Sequence, residues 1–287
     1  MTQGKHEIRV PGGTIAYRES GDPSGPAVVF VHGLLVNGTL WDGVAERIAP
    51  WARCIQPDLP LGAHAIGLDD DAERTPHGIA RMIADFLEAL DLRDAVLVAN
   101  DTGGALAQLV VTTRPERVGR LVLTPCDAFD NFLPPMFRPM QAVAKIPGAL
   151  TLALQPARLR AIRNTPLAFG MLTKRPIPHA LSDGWVHAFL ANRDVRRDVA
   201  RFLAAIDTDV TIEAATRLHT FTRPALVVWT EGDRVFPADH GRRLATLLPD
   251  ARLEIVDDSR AFVPLDRPDR LAELLTDFAR DTAAREA

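Results

Sequence analysis

Between residues 27 and 124 the chain alternates short apolar runs with segments whose apolar residues recur at helical spacing, and this alternation is its strongest constraint. Strands are predicted over 27–31, 53–56, 95–99 and 121–124, with helices over 78–90 and 105–113. In 78–90 the side chains of Ile79, Met82, Ile83, Phe86, Leu87 and Leu90 share one helical face. The run at 95–99 is apolar throughout, as a strand covered on both faces has to be. Such alternation predicts fold class α/β: a mainly parallel sheet with helices on both sides. Before it, 7–10 and 14–19 flank Pro11-Gly12-Gly13, a hairpin signal. After it come strands at 225–229 and 252–256 with a helix at 241–248 between them, and a closing helix at 270–280.

The pattern breaks after Asp127. From 131 to 216 prolines cut the chain into short helical pieces and no strand-like run occurs. Three segments are therefore expected: core over 1–130, a helical lid over 131–216, and core again over 217–287. A helical insert in a parallel-sheet protein is expected over the carboxyl ends of the strands, where such sheets place ligands. Among 287 residues, 47% are hydrophobic, enough for a sizeable core. Thirty-three Lys+Arg against 37 Asp+Glu leave no basic surplus for nucleic acid. No apolar run nears the roughly 20 residues that span a bilayer, and the N-terminal residues show no signal-peptide apolar region. Cys54 and Cys126 make neither a disulfide framework nor a metal cluster, and they read as buried free thiols. The expectation is a cytoplasmic protein with a small-molecule substrate, no nucleic-acid or membrane partner, no metal and no cofactor.

The segment Val96-Leu97-Val98-Ala99-Asn100-Asp101-Thr102-Gly103-Gly104-Ala105 carries the most chemistry. A buried strand runs into a helix through a turn with Ala99 two residues before Asp101 and Gly103 two after. Small residues at those positions are what a sharp nucleophile elbow needs, because larger ones would collide with a raised central residue. The helix behind it aims its first amides at the turn and favours an anion there. The plainer alternative is that Asp101 is only a helix N-cap.

With these residues the chain resembles the α/β-hydrolase superfamily over nearly its whole length. The likeness includes His32-Gly33 after strand 27–31, the elbow, Asp233 within Trp229-Thr230-Glu231-Gly232-Asp233, and the lid. It implies an α/β-hydrolase fold: a mostly parallel eight-stranded sheet flanked by helices, with an inserted lid. Aspartate at the elbow is similar to the haloalkane dehalogenase and epoxide hydrolase branch, whose carboxylate attacks an electrophilic carbon to give an alkyl-enzyme ester. The resemblance implies oxyanion support from backbone amides near Leu34 and Thr102, and Asp233 as the triad acid. Asp127 is an alternative acid position, and His32 reads as a turn residue rather than a base. Trp41, Phe132 and Trp185 are the expected substrate-pocket aromatics.

One member of the triad is absent. The family places histidine before a phenylalanine that an acidic residue and proline follow. The matching stretch here, Arg260-Ala261-Phe262…Asp266-Arg267-Pro268, puts Ala261 in that place. A methyl group cannot activate water, so an ester on Asp101 is expected to persist. His187 is the first candidate to stand in, ahead of His64, His77, His179, His219 and His240. Tyr17, the only tyrosine, lies far from the lid, which counts against epoxide chemistry. Thr102 and Leu34 replace the tryptophan and asparagine that hold a leaving halide in dehalogenases; Trp41 and Trp185 are the candidate substitutes, with Trp41 reading rather as packing under the oxyanion loop. Arg193, Arg196, Arg197 and Arg201 read as a solvated helix face balanced by Asp194 and Asp198. Two other readings stay open: a non-catalytic binding protein on the same fold, and a lyase or cyclase using Asp101 for proton transfer.

Overall fold

The computed structural model describes residues 4–166 and 168–286. Eight strands, β1 (Gly4–Val10), β2 (Gly13–Gly21), β3 (Ala27–Val31), β4 (Arg53–Pro57), β5 (Ala95–Asp101), β6 (Val118–Cys126), β7 (Ala225–Trp229) and β8 (Ala251–Ile255), form one sheet in the order β1-β2-β4-β3-β5-β6-β7-β8. Pairings β1–β2 and β2–β4 are antiparallel and the rest parallel. This is the mostly parallel eight-stranded sheet implied by the resemblance. All residues of β5 and β6 are buried, which is why both are apolar on the two faces rather than alternating. Cys54 and Cys126 are free and buried, and burial pushes the Cys54 thiol up to about 12.

The helices before the break are α1 (Asp42–Ile48), α2 (Pro76–Ala89) and α3 (Thr102–Thr113). α2 starts where Thr75 accepts the Gly78 amide at 3.0 Å and Pro76 fills the first turn. Between β6 and β7 lie only helices and turns among the described residues: α4 (Arg138–Ala144), α5 (Ala149–Ala153), α6 (Arg160–Arg163), α7 (His179–Ala191), α8 (Arg193–Ala204) and α9 (Thr208–Arg217). α10 (Ala238–Leu247), α11 (Val263–Asp266) and α12 (Pro268–Glu286) complete the chain.

Buried polar groups tie the helical segment to the sheet. Asp266, after β8, accepts the amides of Lys174 and Arg175 at 2.9 and 3.1 Å and that of Arg260 at 3.0 Å. Asp198 of α8 is fully buried and meets Arg74, His64 and the Leu68 amide from the β4–α2 connection. This corrects the reading of Asp198 as part of a solvated helix face: it points inward, and Arg197 reaches round to it at 3.1 Å.

Candidate active site

β5 ends on Asp101 and α3 begins on Thr102, so strand and helix meet without a linker. Asp101 sits at φ 58°, a left-handed conformation that a non-glycine residue adopts only when its surroundings hold it there. Two glycines make this possible. A methyl on Gly103 would lie 2.5 Å from the His32 carbonyl oxygen, and one on Gly33 would lie 2.1 Å from Asp101 Oδ1. Gly33→Ala is therefore expected to push the Asp101 carboxylate out of place and destabilise the fold by ~1–3 kcal/mol. Chemical denaturation together with reactivity of Asp101 would check it.

Two backbone amides converge on one oxygen of Asp101. Thr102 N–H donates to Oδ1 at 2.7 Å and Leu34 N–H donates to the same atom at 3.2 Å. Asp101 thus caps α3, as the plainer alternative held, yet no backbone amide donates to Oδ2. Burial raises the Asp101 pKa from its ordinary value, and the amides of Thr102 and Leu34 only partly oppose it.

Two further carboxyls lie close. Asp127, just past β6, accepts from the Thr102 hydroxyl at 3.0 Å through Oδ2, while its buried Oδ1 has no partner. Burial, reinforced by the charge of Asp101, drives the Asp127 pKa well above the carboxylate range and favours the neutral acid. Asp233 accepts the amides of Val235 and Phe236 at 2.7 and 3.3 Å through Oδ1, and its buried Oδ2 is likewise unpartnered. Its pKa is pushed up to about 6, first by burial, with Asp101 adding to it against the opposing amides. An imidazole would normally neutralise such a cluster.

None does here. Ala261 is fully buried, and its carbonyl accepts from Asn100 Nδ2 at 2.8 Å. Asn100 also donates to Thr124 Oγ1 and the Pro125 carbonyl, holding the elbow against β6 and the loop after β8. That role was not apparent in the sequence, where asparagine before the elbow carries no pattern. His187, the first candidate stand-in, is exposed on α7 and absent from the cavity wall, which removes it as a base. His179 and His219 are also exposed, and His240 packs edge-on against Phe129 with ring centroids 5.2 Å apart. His32 Nε2 accepts the Leu59 amide at 2.8 Å while Nδ1 lies 2.9 Å from the Gly33 carbonyl, so the ring is a neutral turn brace. Burial lowers its pKa to about 4.

A cavity of about 400 Å³ lies between the sheet's carboxyl edge and the helical segment. Asp101, Thr102 and Asp127 form its polar floor, and Leu34, Leu133, Met140, Leu154, Phe189 and Phe236 are among its apolar walls. No lysine, arginine or histidine is on this wall among the described residues. Trp185 lines it, but its indole N–H donates to Thr39 Oγ1 at 2.8 Å and to Asn37 at 3.1 Å. Trp41 and Phe132 do not line it, a correction to their assignment as pocket residues. Trp41 packs against Phe30 with centroids 5.1 Å apart, and Phe132 is buried while its neighbour Leu133 lines the cavity. The Trp185 N–H is thus engaged elsewhere, and the Trp41 N–H, buried without a partner, lies off the cavity wall, so neither faces a leaving halide there.

Comparisons with known proteins follow the same lines. A family model described as alpha/beta hydrolase fold matches residues 26–268. A haloalkane dehalogenase of Mesorhizobium japonicum is 36% identical over 150 residues, which are 50% of this chain and 47% of that protein. The chain thus matches about half the length of that relative. An uncharacterized protein of Mycobacterium tuberculosis is 27% identical over 284 residues, covering 94% of this chain and 80% of the other. Among solved structures, the haloalkane dehalogenase DbeA of Bradyrhizobium elkani superposes with a TM-score of 0.82 at 21% identity, covering 99% of this chain and 100% of that one.

Proposed function

Because the chain belongs to the α/β-hydrolase fold family, we propose that it is a dehalogenase-like catalyst in which Asp101 attacks a small, largely apolar electrophile held under the lid formed by 131–216. The observation that carries this reading is the asymmetry of the Asp101 carboxylate. Oδ1 is held by the amides of Leu34 and Thr102, and Oδ2 is left without a backbone donor above an apolar cavity. In the attack, Oδ2 bonds to the substrate carbon and the leaving group departs with its electron pair. Oδ1 becomes the ester carbonyl, already seated between two N–H donors.

The second half of a hydrolytic cycle needs a base to deprotonate water, and Ala261 offers none. The ester on Asp101 should accumulate. Intact-protein mass spectrometry after incubation with a panel of alkyl halides and esters is expected to show a stable adduct that Asp101→Asn abolishes. Its rate should rise with pH through a raised Asp101 pKa, since only the carboxylate attacks. A folded protein that forms no adduct with any of the panel would end the nucleophile reading.

A second reading draws on Asp127. A neutral carboxylic acid beside an ionisable carboxylate can pass a proton in and out of a substrate, as a lyase or cyclase requires. Solvent-deuterium incorporation into substrate without any adduct would favour it.

A further inference from the structure

From 131 to 182 the sequence contains no aspartate or glutamate, although the whole chain has a net charge of −4. Arg138, Lys145, Arg158 and Lys174 are exposed in that stretch and form no salt bridge among the described residues. Its other cations, Arg160, Arg163 and Arg175, pair with carboxylates outside it, Asp183 and Asp258. The same stretch bears the three most exposed large apolar side chains among the described residues: Leu152 at 74%, Leu159 at 62% and Ile146 at 60%. They sit on or beside α5 and the turn Gln155–Arg158, and α5 packs on both that turn and α4. A groove alongside adds the exposed Arg193 and Arg201 of α8 to Lys145 and Ile146. Of its three acids, Asp69 is engaged by Arg9, and Asp70 and Asp194 by Arg197.

Scattered single apolar residues on a surface are ordinary. An acid-free run that gathers unpaired cations with the most exposed apolar side chains is not. Charge of one sign needs a partner of the other, and exposed Leu and Ile need an apolar medium next to it. The interfacial zone of an anionic bilayer supplies both. No helix among the described residues is long and apolar enough to cross a membrane, so the feature is one of surface seating. The other side of these elements is the cavity wall: Ala153, Leu154 and Ala157 line it, and Met136 lines it while remaining 43% exposed.

We propose that this face seats on an anionic lipid bilayer, with Ile146, Leu152 and Leu159 among the upper acyl carbons and Arg138, Lys145 and Arg158 against the headgroup phosphates. The cavity mouth beside Met136 then opens toward the membrane, from which an apolar substrate enters. This placement stands apart from the role of Asp101, and either can fail alone.

Co-sedimentation of the full chain with vesicles tests it. Phosphatidylcholine vesicles containing phosphatidylglycerol should retain the protein, raised salt should release it, and pure phosphatidylcholine should not retain it. Replacing Arg138, Lys145 and Arg158 together by Gln should weaken retention roughly a hundredfold, about fivefold for each charge removed. Leu152→Asp with Ile146→Asp should abolish it, with a thermal melt confirming that these exposed changes leave the fold intact. Absence of an anionic preference, or equal retention of the variants, overturns the proposal. So does a concentration-dependent dimer in sedimentation velocity that Leu152→Asp dissolves, because the face would then be a self-interface.

Discussion

Ala261→His is expected to convert a single labelling event at Asp101 into turnover, with a gain of ~10²–10⁴-fold in the multiple-turnover rate on whichever electrophile labels the protein. The surroundings of residue 261 favour the change. The loop carrying it is held to the elbow by Asn100 and to the loop after β7 by Thr230, whose hydroxyl donates to the Ser259 carbonyl at 3.0 Å. That second loop carries Asp233, a buried carboxyl with one oxygen unpartnered and its pKa at about 6. An imidazole donating to Asp233 would supply the missing cation and fix its own tautomer. Its other nitrogen would then be free to take a proton from water. The base must be neutral, so the rate should rise as pH climbs through the imidazole pKa. That midpoint should lie at or above the ordinary value of ~6.5, because a neighbouring carboxylate favours the charged ring. Ala261 is fully buried, and the larger side chain is expected to cost ~1–3 kcal/mol of stability. A folded variant that still forms the adduct but does not turn over would show that the absent base is not what halts the cycle. Neither adduct nor turnover would point to the binding-protein or proton-transfer readings.

What the sequence revealed and what it hid divide along a physical line. The eight strands were readable from signals carried by neighbouring residues: β3, β5 and β7 as continuous apolar runs, β1 and β2 from the turn Pro11-Gly12-Gly13 between them. The start of α3 was read three residues late, at 105 instead of Thr102, since Gly103 and Gly104 are poor helix formers. They are there for close approach: a methyl on Gly104 would lie 2.2 Å from Cys126 Cβ. Pocket aromatics were misjudged for a different reason. Trp41, Phe132 and Trp185 all stand in sequence of mixed polarity, and which large side chain faces a cavity depends on packing between distant segments. Asp198 shows the same limit. At one-residue spacing beside Arg197 it resembles a surface ion pair, yet its partners His64 and Arg74 lie 134 and 124 residues away.

That buried group leads to a large effect on stability. Asp198→Ala is expected to destabilise the protein by ~3–5 kcal/mol, the cost of leaving a buried charge without its counterion. Asp198 and Arg74 have side chains 0% and 3% exposed and meet at 2.7 Å, so little water can replace the lost carboxylate. The other oxygen accepts the Leu68 amide at 2.8 Å and lies 3.3 Å from His64 Nε2. His64 Nδ1 accepts the Gly62 amide at 3.4 Å, which leaves the ring proton on Nε2 to donate. One carboxylate thus pins α8 to the chain between β4 and α2. In a protein of this size each kcal/mol moves the melting temperature by roughly 2–4 °C, so a fall on the order of 10 °C is expected. Removing the stranded charge as well, in Asp198→Ala with Arg74→Met, should recover part of the loss, and the double-mutant cycle reads the coupling directly. Acid adds an independent check. Burial alone would raise the Asp198 pKa, but His64, the Leu68 amide and Arg74 outweigh it and hold it at about 2. A carboxyl held below its unfolded value of ~3.9 contributes stability above that pH and loses it as pH falls toward the folded value. The wild type should therefore lose more stability between about pH 4 and pH 2 than Asp198→Ala. A variant that melts within 2 °C of wild type and shares its acid profile would show that α8 is held by apolar packing alone.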